Sequence, residues 1–189
     1  MGLDIHVNTD KDEELFPSDY FREGGLSDQH SLSRTFCNFM AARQIDHKPD
    51  FESIREITGV DISPLYQMED FPVEEELDYR LSTAESEAER QALIAEAQLK
   101  KQALEGNIDK VLGTIEALIS RLGAVDNLKD ILLKEAMDPE TVSYYFSDFN
   151  QDKGKGYIDN NFGHDLRNFK RFLNYAKERG AKTVWFWYG

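Results

Sequence analysis

The chain has a single cysteine, Cys37, among its 189 residues. An internal disulfide is therefore excluded, and a small thiol within an apolar pattern reads as a core residue in a reducing compartment. No apolar run approaches the ~20 residues needed to cross a bilayer. The opening MGLDIHV leads into acidic residues and lacks the basic and apolar regions of a secretory signal. The expectation is a cytoplasmic protein without a membrane partner. Positive charge is also scarce, since 22 Lys and Arg stand against 36 Asp and Glu, a net charge of −14. That balance opposes binding to nucleic acid, which needs concentrated cations to neutralise phosphate. No nucleophile elbow, dinucleotide fingerprint or kinase motif set occurs. The four histidines, His6, His30, His47 and His164, form no helical pair spaced for zinc. These absences lean away from an enzyme.

What is present is a folding chain. A hydrophobic fraction of 40 % with 12 Phe, 8 Tyr and 2 Trp supplies enough apolar surface to offset chain entropy. The charge is uneven: residues 153–189 carry eight Lys and Arg against three Asp and Glu, net +5, leaving 14 against 33, net −19, in residues 1–152. The plain reading is that the basic tail docks on the chain's own acidic body.

Leu3, Ile5 and Val7 alternate with Asp4 and His6 and predict a short first strand. Asp4 and His6 then share a face. Asp-x-His on a first strand resembles the dinuclear phosphoesterases, but the further Asp, Asn and His motifs of such a site are missing. The opening MGLDIHV also resembles short bacterial and prophage proteins that begin Met-Gly-Leu-Asp, a likeness of a few residues that implies no activity. The acidic stretch Asn8 to Gln29, with Pro17, Gly24 and Gly25, reads as a long loop with room for one turn of helix, and as a candidate lid. Ser31 or Ser33 suits the cap of a helix running to about Gln44, and Asp50 begins another that Gly59 stops. Residues 60–68, around Pro64, read as an edge strand or a packed loop.

From Glu74 to Leu122 the composition shifts to Glu, Ala, Gln, Lys and Leu. Apolar residues at Leu81, Ala84, Ala88, Ala92, Ala95 and Leu99, then at Leu104, Ile108, Val111, Ile115, Leu118 and Leu122, keep the spacing of a coiled-coil seam. Glu105, Gly106 and Asn107 interrupt it, with Asn107 suited to cap the second helix. An antiparallel helical hairpin turning there is expected, with one bent helix as the alternative. The predicted architecture is α+β and helix-dominated: a small two- or three-stranded sheet pairing the N- and C-terminal strands, with the hairpin protruding. Residues 1–73 and 123–189 form one domain and residues 74–122 an insertion. Self-association or docking of a protein partner through the hairpin is the first functional expectation. Homodimerisation is included in it.

The last quarter carries the candidate site. Asp148, Asn150 and Asp152 have the one-three-five spacing of an EF-hand, with Asp159 at the twelfth place, which nominates calcium as a ligand. The pattern departs where Lys153 occupies the glycine position and Lys155 the apolar one. The same loop offers an anion site through Lys153, Gly154, Lys155 and Gly156, with Arg167 one turn into the following helix. Its plain reading is a turn bonded to its own backbone. Asn160 or Asn161 caps that helix, Phe162, Leu166, Phe169, Leu173 and Ala176 form its buried stripe, and Gly180 ends it. His164, with Asp4 or His6 across the fold, is a candidate general acid or base. The alternative to an interaction protein is thus a small-ligand or metal-dependent enzyme with its site between the first strand and residues 148–165. Thr183 to Tyr188 is apolar on both faces and predicts a covered strand beside the first.

Overall fold

The computed structural model describes residues 5–15, 32–41, 50–132, 143–156 and 158–188. Asp4, the greater part of the candidate lid, His30 and His47 lie outside them. Two strands, β1 (Ile5–Thr9) and β2 (Val184–Tyr188), pair antiparallel with His6 opposite Trp187 and Thr9 opposite Val184. The two ends of the chain therefore meet in one sheet, as the apolar alternation predicts, and the fold is α+β and helix-dominated. Val184 and Phe186 face the core, whereas Trp185 stacks on Phe71 at 4.0 Å and Trp187 on His6 at 4.4 Å. Flat ring contacts of this kind cover the second face of a sheet only two strands wide.

The helices are α1 (Asp12–Leu15), α2 (Arg34–Ala41), α3 (Asp50–Thr58), α4 (Ser63–Gln67), α5 (Glu74–Thr83), α6 (Glu87–Leu104), α7 (Ile108–Leu122), α8 (Leu128–Leu132) and α9 (Phe162–Glu178). α4 corrects the strand or loop expected over 60–68. Proline fits a first helical turn, where its missing N–H costs nothing, and Pro64 stands there. The Asp61 carboxylate accepts from the Ser63 N–H just ahead of it. A 3-10 turn, Met68–Asp70, continues the helix, with Met68 fully buried.

α7 and α9 form the centre. Val111, Ile115, Leu118 and Leu122 of α7, and Phe162, Leu166, Phe169, Leu173 and Ala176 of α9, are buried in one apolar cluster. Lys170 on α9 reaches Glu116 on α7 at 2.9 Å, and Lys177 pairs with Asp109. Part of the basic tail thus rests on the acidic body, in line with the plain reading of the charge split. α9 closes in a Schellman motif, with Ala181 N–H on the Ala176 carbonyl and Gly180 N–H on that of Lys177. Gly180 takes φ +88° there, a conformation costly for other residues.

The helical break at 105–107 forms where the sequence places it, but the helices on its two sides do different work. α5 and α6 pack on each other through the bend at 84–86, while α7 packs on α9. The wider Ile, Leu and Val face of α7 explains its place in the core, since the alanine-rich α6 offers too little apolar area to compete. Asn107 is not a side-chain cap. Its amide instead donates to the Val184 carbonyl and accepts from the Val184 N–H, both at 2.8 Å, so it lengthens the sheet by one peptide-like group. Gly106 N–H on Thr183 Oγ1 and Ile108 N–H on the Lys182 carbonyl complete the junction.

Replacing Asn107 by Ala leaves both backbone groups of the fully buried Val184 without these partners. The expected loss is roughly 2–4 kcal/mol at about 1–2 kcal/mol per orphaned group, read as a lower urea midpoint at unchanged slope. A loss below about 0.5 kcal/mol would refute the role assigned to this amide.

Candidate functional site

Residues 148–156 and 158–161 form a tight loop over the first turn of α9. The helix is capped by Asn161, whose Oδ1 accepts from the His164 N–H at 2.9 Å. Its amide nitrogen lies 3.0 Å from each of the Ser147, Asp148 and Gln151 carbonyls. One buried asparagine therefore fastens the helix start and the loop together. The backbones approach closely at Gly163, where an added Cβ would stand 1.9 Å from the Phe149 carbonyl oxygen. Phe162 is the hub beneath, with ring centroids of Tyr145, Phe146 and Phe149 at 5.5, 5.4 and 6.0 Å.

Two of the candidate ligands, Asp148 and Asp152, have their carboxylates paired within the chain, while Asn150 and Asp159 are bonded through other atoms. Asp148 pairs with Lys153, and Asp152 with Arg167 and, at 3.7 Å, with Arg171. Asn150 turns its amide nitrogen to the Gly123 carbonyl at 3.0 Å. The Asp159 carbonyl accepts from the Tyr144 hydroxyl at 3.0 Å. Among the described residues no three His, Cys, Asp or Glu side chains converge as a metal would require.

The cationic side of the loop is engaged in the same way. Lys153 holds Asp148 and the Ser147 hydroxyl and lies 5.5 Å from the Tyr144 ring centroid. Arg167 adds the Phe149 carbonyl to Asp152. Lys155 is exposed, and its N–H bonds the Ile158 carbonyl across Gly156. His164 is buried, with Nδ1 2.6 Å from the Lys153 carbonyl oxygen. His6 belongs to the sheet, on Trp187. The two histidines thus have separate surroundings, and Asp4 lies outside the described residues.

A different residue forms the polar centre of this region. Asp165 is fully buried and accepts four hydrogen bonds: from Ser33 N–H at 2.8 Å, Ser33 Oγ at 2.6 Å, Asn160 Nδ2 at 2.7 Å and the Tyr145 hydroxyl at 3.0 Å. Ser33 is the N-cap of α2, its Oγ accepting from Phe36 N–H at 3.2 Å. In an ordinary capping box an acidic side chain three residues on would bond the cap's own N–H. Here Phe36 occupies that place, and Asp165, 132 residues away, supplies the carboxylate. Burial raises its pKa from 3.8 to about 6 against the lowering effect of the Ser33, Asn160 and Tyr145 bonds. The same burial, reinforced by the Asp165 charge, holds the Tyr145 phenol well above its usual value. Ser33 and Tyr145 are buried with Asp165, and their bonds fasten the start of α2 and the segment at Tyr145 to α9.

The signal for Asp165 was in the pattern, since it lies between Phe162 and Phe169 on the buried stripe of α9. A carboxylate in an apolar stripe demands donors, and one serine cap and one tyrosine provide them. No family model, curated protein or solved structure matches the chain.

The pH dependence of folding carries the sign of this raised pKa. Between 3.8 and about 6 the folded state retains a proton that the unfolded chain has lost. The group's contribution to stability is therefore complete below the lower value and is lost as pH rises through the upper one. The stability of the native chain relative to Asp165→Asn should fall by roughly 2 kcal/mol between pH 4 and pH 7, measured by urea unfolding at each pH. A difference that stays flat with pH would show that Asp165 does not titrate in this window.

Proposed function

We propose that the protein is a self-association module whose occupant for the exposed face of α6 is α6 of a second copy. The observation that carries this reading is the placement of the alanine seam. Ala88, Ala92, Ala95 and Leu99 follow one another at steps of four, three and four, and all four are exposed, Leu99 by 67 %. The opposite face of the helix, through Leu93, Ala97, Lys100 and Leu104, is turned inward. α5 adds no buried residue and exposes Tyr79 by 69 %. An apolar repeat of this period on a solvated helix is what a facing helix covers, and two helix pairs make a four-helix bundle.

Charge sets the strength of the contact. Glu96, beside the seam, is held by Lys100 at 2.8 Å and Arg80 at 3.5 Å, so it adds little repulsion. The net −14 of each copy opposes approach over longer distances, and salt screens that term. Small side chains at the seam allow close helix contact but bury a modest area, which places the dimer in the weak class.

Sedimentation velocity from about 5 to about 200 µM should show a monomer–dimer equilibrium that tightens as sodium chloride is raised, with Leu99→Glu and Ala92→Glu monomeric throughout. Monomer alone at every concentration and salt would remove the second copy as the occupant. A dimer unaffected by either substitution would place the contact elsewhere.

A further inference from the structure

The inner side of the same arm borders a half-open cavity of about 660 Å³, lined by α5, α6, the Glu69–Val73 segment and the end of β2. Its volume lies in the range of small-ligand sites. The apolar floor includes Phe71, Leu77, Ala97 and Trp187, of which Trp187 is 38 % exposed. Five carboxylates line it, Glu69, Asp70, Glu75, Glu76 and Glu96, against two cations, Arg80 and Lys100. Both cations converge on Glu96, so neither is drawn to Asp70, Glu75 or Glu76, which form the negative stretch of the lining.

Three features define the complementary ligand. The acidic lining repels anions. The carboxylates are spread along the wall and do not meet at a point, because among the described residues no cluster suited to a metal ion forms. An extended cation therefore matches the lining better than a point charge. The third feature is an ammonium group of this chain already placed in that chemistry: Lys101 Nζ stands 5.7 Å from the centroid of the Phe71 ring, whose plane also stacks on Trp185. An alkylammonium beside an aromatic face gains cation–π attraction, and its methylene stem covers apolar surface.

We propose that this cavity binds an alkylammonium cation, its stem against Phe71 and Trp187 and its charge among Asp70, Glu75 and Glu76. A free linear polyamine and the lysine side chains of a basic peptide carry this chemistry equally. The site is on the inner face of the arm and does not depend on the self-association of its outer face.

The chain holds two tryptophans, one lining the cavity and one stacked on its Phe71 wall, so tryptophan emission reports occupancy. The experiment is a fluorescence titration with spermine and with blocked octalysine, repeated by calorimetry, on the native chain and two double variants. Glu75→Gln/Glu76→Gln removes two charges at the cavity. Asp126→Asn/Asp130→Asn removes the same charge from exposed positions outside it. Saturable binding weakened roughly tenfold by the first pair and less than about twofold by the second is the expected result. Spermine alone binding would identify a polyamine site, and octalysine alone a peptide site. Equal weakening by both pairs would reduce the effect to general attraction by an acidic protein and overturn the proposal, as would the absence of saturable binding to either probe.

Discussion

The Asp165 carboxylate is the constraint on which the rest of the structure depends. Burying it costs several kcal/mol unless its oxygens are bonded, and it takes four donors from three residues, Ser33, Tyr145 and Asn160. Ser33 fixes the start of α2, Tyr145 fixes the segment leading into the loop, and Asn160 fixes the loop's exit. Each of these must be in place before the carboxylate is satisfied. The carboxylate also sits in the first turn of α9 and accepts from the cap of α2, so two helix N-termini direct their partial positive charge at it. Ser33 and Tyr145 hydroxyls can reverse from donor to acceptor when the acid gains a proton, whereas the Ser33 N–H and the Asn160 amide nitrogen cannot. The cluster therefore remains bonded in both protonation states and biases its pKa without collapsing.

The loop over α9 follows the same logic with opposite charges. A row of Asp and Asn oxygens at alternate positions can be neutralised by a cation from outside or by lysines and arginines from within. In this chain Lys153, Arg167 and Arg171 are the partners of Asp148 and Asp152. Those pairs are partly exposed and contribute little individually. Their effect is to hold the loop flat on the helix while the three carbonyl contacts of Asn161 and the close approach at Gly163 set its path.

Much of the fold is legible in local chemistry. Ser33, Asn161, Gly59 and Gly180 mark helix ends because capping and positive φ are properties of single residues. The pairing of the terminal strands follows from an apolar strand that needs cover on both faces. Where the reading departs from the structure, a residue has two uses and packing chooses between them. Pro64 suits an edge strand or a first helical turn, and burial of Leu65 and Met68 selects the helix. Asn107 suits a cap or a bridge, and the buried Val184 at the start of β2 takes it as a bridge. The loop spacing identifies oxygens but not what balances them. Asp165 was visible as an acid on an apolar stripe, though its donors Ser33 and Tyr145 lie 132 and 20 residues away, beyond any local pattern.

The arm poses the converse problem, since its helices are well formed yet bury almost nothing. Helices of ten and eighteen residues gain limited stability from propensity alone. What holds them is local: Ser86 caps α6 by accepting from Glu89 N–H, Arg90 bonds the Leu81 carbonyl at 2.6 Å, and Arg80 and Lys100 bracket Glu96. Such bonds fix the angle between the helices without consuming either broad face. One face is left with an alanine and leucine seam, the other with an acidic wall over aromatic rings. The arm, with its two chemically distinct faces, joins the core through the Asn107 junction to the strand pair formed near both chain ends.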